Sequence, residues 1–218
     1  MRRLLEIWDS TIGKKVVMAV TGLALVGFAI AHMLGNLQVF LGADVFNSYA
    51  HSLQSLGPVL WVARAGLFVA AVLHIVTSIQ LTMRARAARP EGYAKMVPQV
   101  STLASRSMRV GGVILAVFLV YHILHMTVGS LHPAFSRGGA YGNVVLGFRV
   151  WWVTLFYVVA MSFFGFHLYH GVWAGFRSLG IAKPEPMPLE RTLALWVALL
   201  VWAGFIVVPI AVWLGLVS

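Results

Sequence analysis

The sequence has 218 residues, 60% hydrophobic and 10% charged, with a formal net charge of +10 and no cysteine. Soluble domains lie nearer about 45–50% apolar and 25% charged, so this is the composition of an integral membrane protein. Without cysteine, disulfides, thiolate metal sites, Cys-held Fe–S clusters, covalent c-type haem attachment and a lipoprotein anchor are excluded. The basic residues fall between apolar runs, which reads as membrane-protein loops and not as a nucleic-acid surface.

Residues 1–15 are basic and amphipathic, with Arg2, Arg3, Lys14 and Lys15 flanking Leu4, Leu5, Ile7 and Trp8. They predict an interfacial helix leading into the bilayer. Arg2-Arg3 lies too near the start for a twin-arginine export signal, and no small-residue cleavage site follows the next run, so that run is expected to stay as a helix. Five spans follow, at 16–41, 59–83, 110–131, 150–176 and 192–217, each long enough to cross a hydrocarbon core of roughly 30 Å. Residues 44–56 place Val45, Phe46, Tyr49, Leu53 and Leu56 at near-helical spacing, as in a short surface helix. Residues 84–109 are a polar, basic connection and 132–147 a Gly-rich loop. Residues 178–191 contain Pro184, Pro186 and Pro188 and cannot be helical throughout.

Loops on one side carry Arg2, Arg3, Lys14, Lys15, Arg84, Arg86, Arg89, Lys95, Arg106, Arg109, Arg177, Lys183 and Arg191. Those opposite carry Arg137 and Arg149, with Arg64 inside the second span near that side. This bias predicts a cytoplasmic N-terminus and an external C-terminus. No soluble domain remains: 1–218 is expected to be a single all-α membrane domain whose chemistry outside the bilayer belongs to partners.

Histidines in lipid are costly unless used. With 1.5 Å per residue, His32 lies about 24 Å into span one from the cytoplasmic side. His74 lies about 22 Å into span two from outside, His122 about 18 Å into span three from inside, and His167 about 25 Å into span four from outside. The depths therefore sort into an outer pair, His32 with His122, and an inner pair, His74 with His167. Any one of these would be read as a hydrogen bond to a neighbouring helix. Four at paired depths, with no acid in spans one to four, point instead to two stacked b haems, each ligated by two imidazoles. Zinc takes three or four ligands, and a proton relay mixes His with Asp or Glu. Gly27 and Gly35 near His32, Ala70 and Ala71 before His74, and Gly165 and Gly171 near His167 fit a flat macrocycle against helix backbone. His125 and His170 lie three residues beyond His122 and His167 on roughly the same face. One of each pair can ligate; the other is left for a propionate, a quinone or a loop. His51 and His132 fall outside the spans.

The chain resembles the single-chain, five-helix, two-haem cytochrome b membrane anchor of succinate:menaquinone oxidoreductases, in the succinate dehydrogenase/fumarate reductase family. The resemblance runs through Lys14-Lys15, Met18-Ala19-Val20-Thr21-Gly22, Ala31-His32-Met33-Leu34-Gly35-Asn36-Leu37 and Phe46-Asn47-Ser48-Tyr49-Ala50. It continues with Leu73-His74-Ile75 and Tyr93, with Gly112 through Tyr121-His122-Ile123-Leu124-His125, and with His167, Gly171, Val172 and Trp173. It implies His32, His74, His122 and His167 as iron ligands, selecting His122 over His125 and His167 over His170 by their spacing from glycines. It also implies the same pairing of helix one with three and two with four.

The resemblance further implies an FAD flavoprotein and an iron–sulfur protein on the cytoplasmic face of a bacterial cytoplasmic membrane, with a homo-oligomer of the complex left open. Electrons would pass from the Fe–S clusters to the inner haem, the outer haem and menaquinone, with no bond chemistry on succinate in this chain. Arg64 or Arg149 would meet outer propionates and Arg84 or Arg177 inner ones, with His125 and His170 as further contacts. Asp44, His51 and Gln54 would meet the quinone, with an inner site near Trp8, Ser10 or Lys14 as an alternative. Related fumarate reductases carry Glu two residues before the fourth-helix ligand, where this chain has Gly165, which favours succinate oxidation. The alternatives are the fumarate reductase direction, a di-haem cytochrome b of another respiratory dehydrogenase such as a formate dehydrogenase or hydrogenase, and a haem-free anchor or transporter.

Overall fold

A computed structural model describes residues 8–88, 102–181 and 188–218. Expectations for Arg2, Arg3, Arg89, Tyr93, Lys95, Lys183, Pro184 and Pro186 lie outside the described residues. Among the described residues the fold is all-α. Its five apolar helices are long enough to cross a membrane: Thr11–Leu41, Pro58–Ala87, Leu103–Val128, Trp151–Ser178 and Leu189–Trp213. The chain is a multi-pass membrane protein.

Local chemistry sets the helix ends. α1 (Thr11–Leu37) starts on Ser10, whose Oγ accepts from the Gly13 amide at 2.8 Å. That hydroxyl satisfies one of the N–H groups a first turn leaves unpaired. Residues 11–15 are the first turn of this spanning helix and not a separate interfacial helix, because the cap lies at Ser10. A 3-10 turn, Gln38–Leu41, leads to Gly42 and to α2 (Ala43–Ser55), the surface helix. α3 (Pro58–Ala87) begins with proline, whose missing N–H costs nothing there. α4 (Leu103–His122) is capped by Thr102 and runs into a π-helical turn, Ile123–Val128.

α5 (Ala140–Phe148) is a helix where a Gly-rich loop was expected. The Asn143 side chain accepts from the Ser136 amide and donates to the Ser136 carbonyl, both at 2.9 Å, which ties the turn at Gly138 and Gly139 to the helix. α6 (Trp151–Ser178) and α7 (Pro188–Trp213) complete the chain. Pro188 opens α7, so the proline-rich connection gives way to helix earlier than expected.

α6 is the hub. It packs against α7, α4 and α1, while α3 packs along α1. α3 buries only Thr77 among its residues, whose hydroxyl donates back to the Leu73 carbonyl at 2.7 Å. The main core joins Phe118, Phe148, Val153, Tyr157, Ala160, Met161 and Ile206. A second cluster, Met33, Leu168, Ala198 and Val201, lies where α1, α6 and α7 meet. α2 docks on α5 through Phe46 against Tyr141 at 6.3 Å and through Asn47 Oδ1, which accepts from the Tyr141 amide at 3.0 Å.

Gly129 ends the π turn at φ 84°, and a Cβ there would strike the Phe135 ring. Gly138 has a similar φ of 87° but open space around it. The left-handed conformation costs an L-residue roughly 1–2 kcal/mol. Gly138→Ala should lower the apparent melting temperature of the detergent-solubilised protein slightly, and Gly129→Ala clearly more, since it must also displace Phe135. Equal losses in the two thermal scans would mean that the Phe135 contact is unimportant.

Candidate functional site

Four half-buried histidines come together in two pairs. Nearer the basic end, formed by the starts of α1, α4 and α7 and the ends of α3 and α6, the rings of His74 and His167 lie 6.1 Å apart between centroids, at 63°. Toward the other end His32 and His122 lie 5.8 Å apart at 74°. Two metal–nitrogen bonds of about 2.0 Å plus two ring radii would set such centroids about 6 Å apart across a shared metal. The π-stacked neighbours are Phe28 on His32, at 5.5 Å and 8°, and Phe118 on His122, at 5.7 Å and 25°.

The rings are held from behind. His74 Nδ1 donates to the Met18 carbonyl at 3.0 Å. A carbonyl only accepts, so Nδ1 carries the hydrogen and Nε2 keeps its lone pair free as a metal ligand. Gly22 makes this approach possible, because a Cβ there would lie 3.0 Å from His74 Cε1. His122 Nδ1 lies 3.1 Å from the Tyr157 hydroxyl, and His125 Nδ1 3.0 Å from the same oxygen. His32 Nε2 has a long 3.5 Å contact to Asn36 Nδ2. The Nδ1 atoms of His167 and His170 are buried without a hydrogen-bond partner among the described residues. At each pair, among the described residues, no third His, Asp or Glu completes a cluster. The donor set is thus two neutral imidazoles per site, which suits the two axial positions of a haem iron.

The remaining sequence candidates scatter. His125 is fully buried, stacked on Tyr121 at 5.3 Å and on His132 at 4.9 Å. His132 is buried as well, accepting from the Ala134 amide and donating from Nε2 to the Asn143 carbonyl at 2.8 Å. His170 packs at 5.9 Å against Trp173, over which Arg177 and Arg191 also lie, at 5.3 and 4.7 Å. Arg64 lies 5.1 Å over Trp61 and Arg149 is exposed. Asp44, His51 and Gln54 are exposed on α2, and no described hydrogen bond or ring contact joins them to either histidine pair.

At the basic end, Trp8, Asp9, Lys14, Gln80, Met83 and Arg84 line a cleft of about 290 Å³. Lys14 is only 3% exposed, with Nζ 4.6 Å over Trp8, and Gln80 Oε1 is buried without a partner among the described residues. Arg84 donates to the Asp9 carbonyl at 2.7 Å.

Of the small residues expected to flank a macrocycle, Gly27 and Gly171 face open space, while Gly35 is covered by Tyr49. Gly165 is covered by Trp202, whose Cδ1 would lie 3.3 Å from an added Cβ.

A family model described as the succinate dehydrogenase/fumarate reductase transmembrane subunit matches residues 83–208. The chain belongs to this family. The match takes in the helices carrying His122 and His167 and most of α7. No curated protein and no solved structure matches the chain.

Sequence reasoning missed Tyr157, the Met18 carbonyl and Trp202. Only Tyr157 left a signal: a phenol deep in an apolar span needs a partner for its hydroxyl. The Trp202 contact also explains why position 165 is glycine. Gly165→Glu should destabilise the solubilised protein, and Trp202→Ala in the same chain should recover part of that loss, with a coupling of about 1–3 kcal/mol in thermal unfolding. Additive losses would show that Trp202 does not constrain the position.

Proposed function

We propose that this transmembrane subunit is the di-haem cytochrome b anchor of a succinate:menaquinone oxidoreductase. The observation that carries the reading is the meeting of four imidazoles, from four helices, in two pairs 6.1 and 5.8 Å apart. His74 and His167 hold one haem b near the cytoplasmic, basic end; His32 and His122 hold the other toward the outside. Bound haem supplies one-electron transfer between an iron–sulfur partner and a quinone. Tyr157 and His167 are ten residues apart on α6, about 15 Å along its axis, which stacks the two sites on one helix.

The chain's own part is to bind, orient and shield. Met18 fixes the His74 tautomer, Phe28 and Phe118 cover ring faces, and the apolar spans exclude water. Arg84 and Arg177 serve inner propionates, with His170 beside them; Arg64 and Arg149 serve outer ones. His125, with Nδ1 on Tyr157, has only Nε2 to offer. Family membership supports a complex with a flavoprotein and an iron–sulfur protein; we place both, with FAD in the flavoprotein, at the basic, cytoplasmic end of the bundle in a bacterial cytoplasmic membrane. The direction we propose is succinate oxidation, since position 165 carries no carboxylate.

For the quinone, Asp44, His51 and Gln54 offer an exposed carboxylate, imidazole and amide on the outer surface helix. The cleft lined by Lys14, Gln80 and Arg84 favours a second reading, a quinone site at the inner end, because it gathers a buried cation and an unpaired amide oxygen.

Pyridine haemochrome on the purified protein should give two b haems per chain. His167→Ala should remove one haem and His170→Ala neither. Fewer than two haems in the wild type overturns the di-haem reading, and haem loss in the His170 variant with retention in the His167 variant reverses the ligand assignment. Separately, Asp44→Asn and Lys14→Met should divide the quinone sites: whichever raises the KM for a soluble quinone by roughly tenfold or more, about 1.4 kcal/mol, marks the site.

A further inference from the structure

Tyr157 stands about two turns into α6, 6% exposed and boxed by Phe148 at 4.8 Å, Phe118 at 4.9 Å and Tyr121 at 6.1 Å. Into this apolar box it brings one hydroxyl, which meets Nδ1 of His122 at 3.1 Å and Nδ1 of His125 at 3.0 Å. A hydroxyl has one hydrogen to give, so with an imidazole nitrogen on each side it donates to one ring and accepts from the other. The di-haem reading, on which this inference rests, decides the order. A histidine that ligates through Nε2 carries its hydrogen on Nδ1. His122 therefore donates to Tyr157, and Tyr157 donates to His125.

We infer that Tyr157 is a positioning residue for the outer site. It orients the His122 ring and strengthens its electron donation, and His125 is the acceptor that polarises it, not a ligand in reserve. His125 lies within a π-helical turn, Ile123–Val128, and such turns concentrate at functional sites. His125 is clamped between Tyr121 and His132, and Gly147 leaves room for both histidines, since a Cβ there would lie 3.0 Å from each. The inner pair is built differently. There the anchor is a backbone carbonyl on His74, and His167 Nδ1 has no partner among the described residues. A phenol whose own hydrogen is engaged is a better acceptor than one that is free. An acceptor behind a ligating imidazole raises its basicity and favours the oxidised metal.

The test is a redox titration of the intact complex, read optically and by EPR, with the outer haem identified as the one surviving in a His167→Ala background. Tyr157→Phe keeps the ring packing and removes only the hydroxyl. It should retain two haems, shift the outer midpoint potential upward, alter that haem's low-spin EPR signal and leave the inner haem unchanged. His125→Leu should shift the same haem the same way by less, since the Tyr157 hydroxyl stays on His122. Two haems with an unmoved outer potential in Tyr157→Phe, or equal shifts of both haems, overturn the inference. Should Tyr157→Phe fail to assemble, the His125→Leu titration decides: a shift confined to the outer haem supports the bridge, and no shift overturns it. Fewer than two haems in the wild type would remove the di-haem reading instead.

Discussion

An imidazole inside a bilayer has no water to fall back on, so each of its nitrogens needs a partner from the protein or from something the protein holds. This bundle meets that constraint in part, and without a single acidic side chain in its first four spans; among the described residues His167 Nδ1 and His170 Nδ1 stay without a partner. One carbonyl, one phenol and one more imidazole supply the rear contacts: Met18 on His74, Tyr157 on His122, and His125 beyond Tyr157. The helix arrangement follows from the same demand. α6 carries both Tyr157 and His167, touches α1, α4 and α7, and so ties the two sites to one rigid element. The fifth span brings no histidine; it seals α6 with Trp202 over Gly165 and with Val201 in the Met33–Leu168 cluster.

The pairing of the histidines was legible because depth along a straight helix is arithmetic. His32, His74, His122 and His167 each lie in an apolar helix without an internal proline, so a rise of 1.5 Å per residue placed them at matching heights. The five spans were legible for the same reason. What escaped was whatever depends on azimuth or on backbone. The Met18 carbonyl has no signature in its side chain. His125 reads as an i+3 neighbour of His122, and that spacing does not reveal that both rings meet the Tyr157 hydroxyl. α5 hides among glycines, although Tyr141, Val144, Val145 and Phe148 share a helical face that packs on the main core, and Asn143 ties the preceding turn to it. The exposed trio on α2 was chosen by chemistry alone, and chemistry does not say which way a surface helix faces.

Position 165 shows how a residue can carry two readings. Against the fumarate reductases that the sequence resembles, glycine there marks a missing carboxylate, and on that we base the proposed direction. In the fold it is where Trp202 of α7 lies against α6, its indole donating to Ser162 Oγ at 3.4 Å. The packing accounts for glycine without reference to proton movement. A carboxylate at 165 would need both a rearranged α6–α7 contact and a partner for its charge, and in hydrocarbon the second requirement is the more costly.

α3 differs from the other spans in how it is kept. It buries Thr77 alone and packs along α1, so apolar packing with the rest of the protein contributes little to its position. Beside Arg84 on the Asp9 carbonyl, a specific tie within the bilayer is His74, whose Nδ1 reaches the Met18 carbonyl over Gly22 while its ring faces His167 of α6. Lipid tails are as apolar as leucine, so helices in a bilayer gain little by hiding such side chains from their surroundings; close backbone approach and polar contacts decide instead. Gly22 provides the first and His74 the second at one place. A larger residue at 22 would therefore disturb the helix pairing and the histidine geometry together, which makes the α1–α3 contact and the inner site a single structural unit.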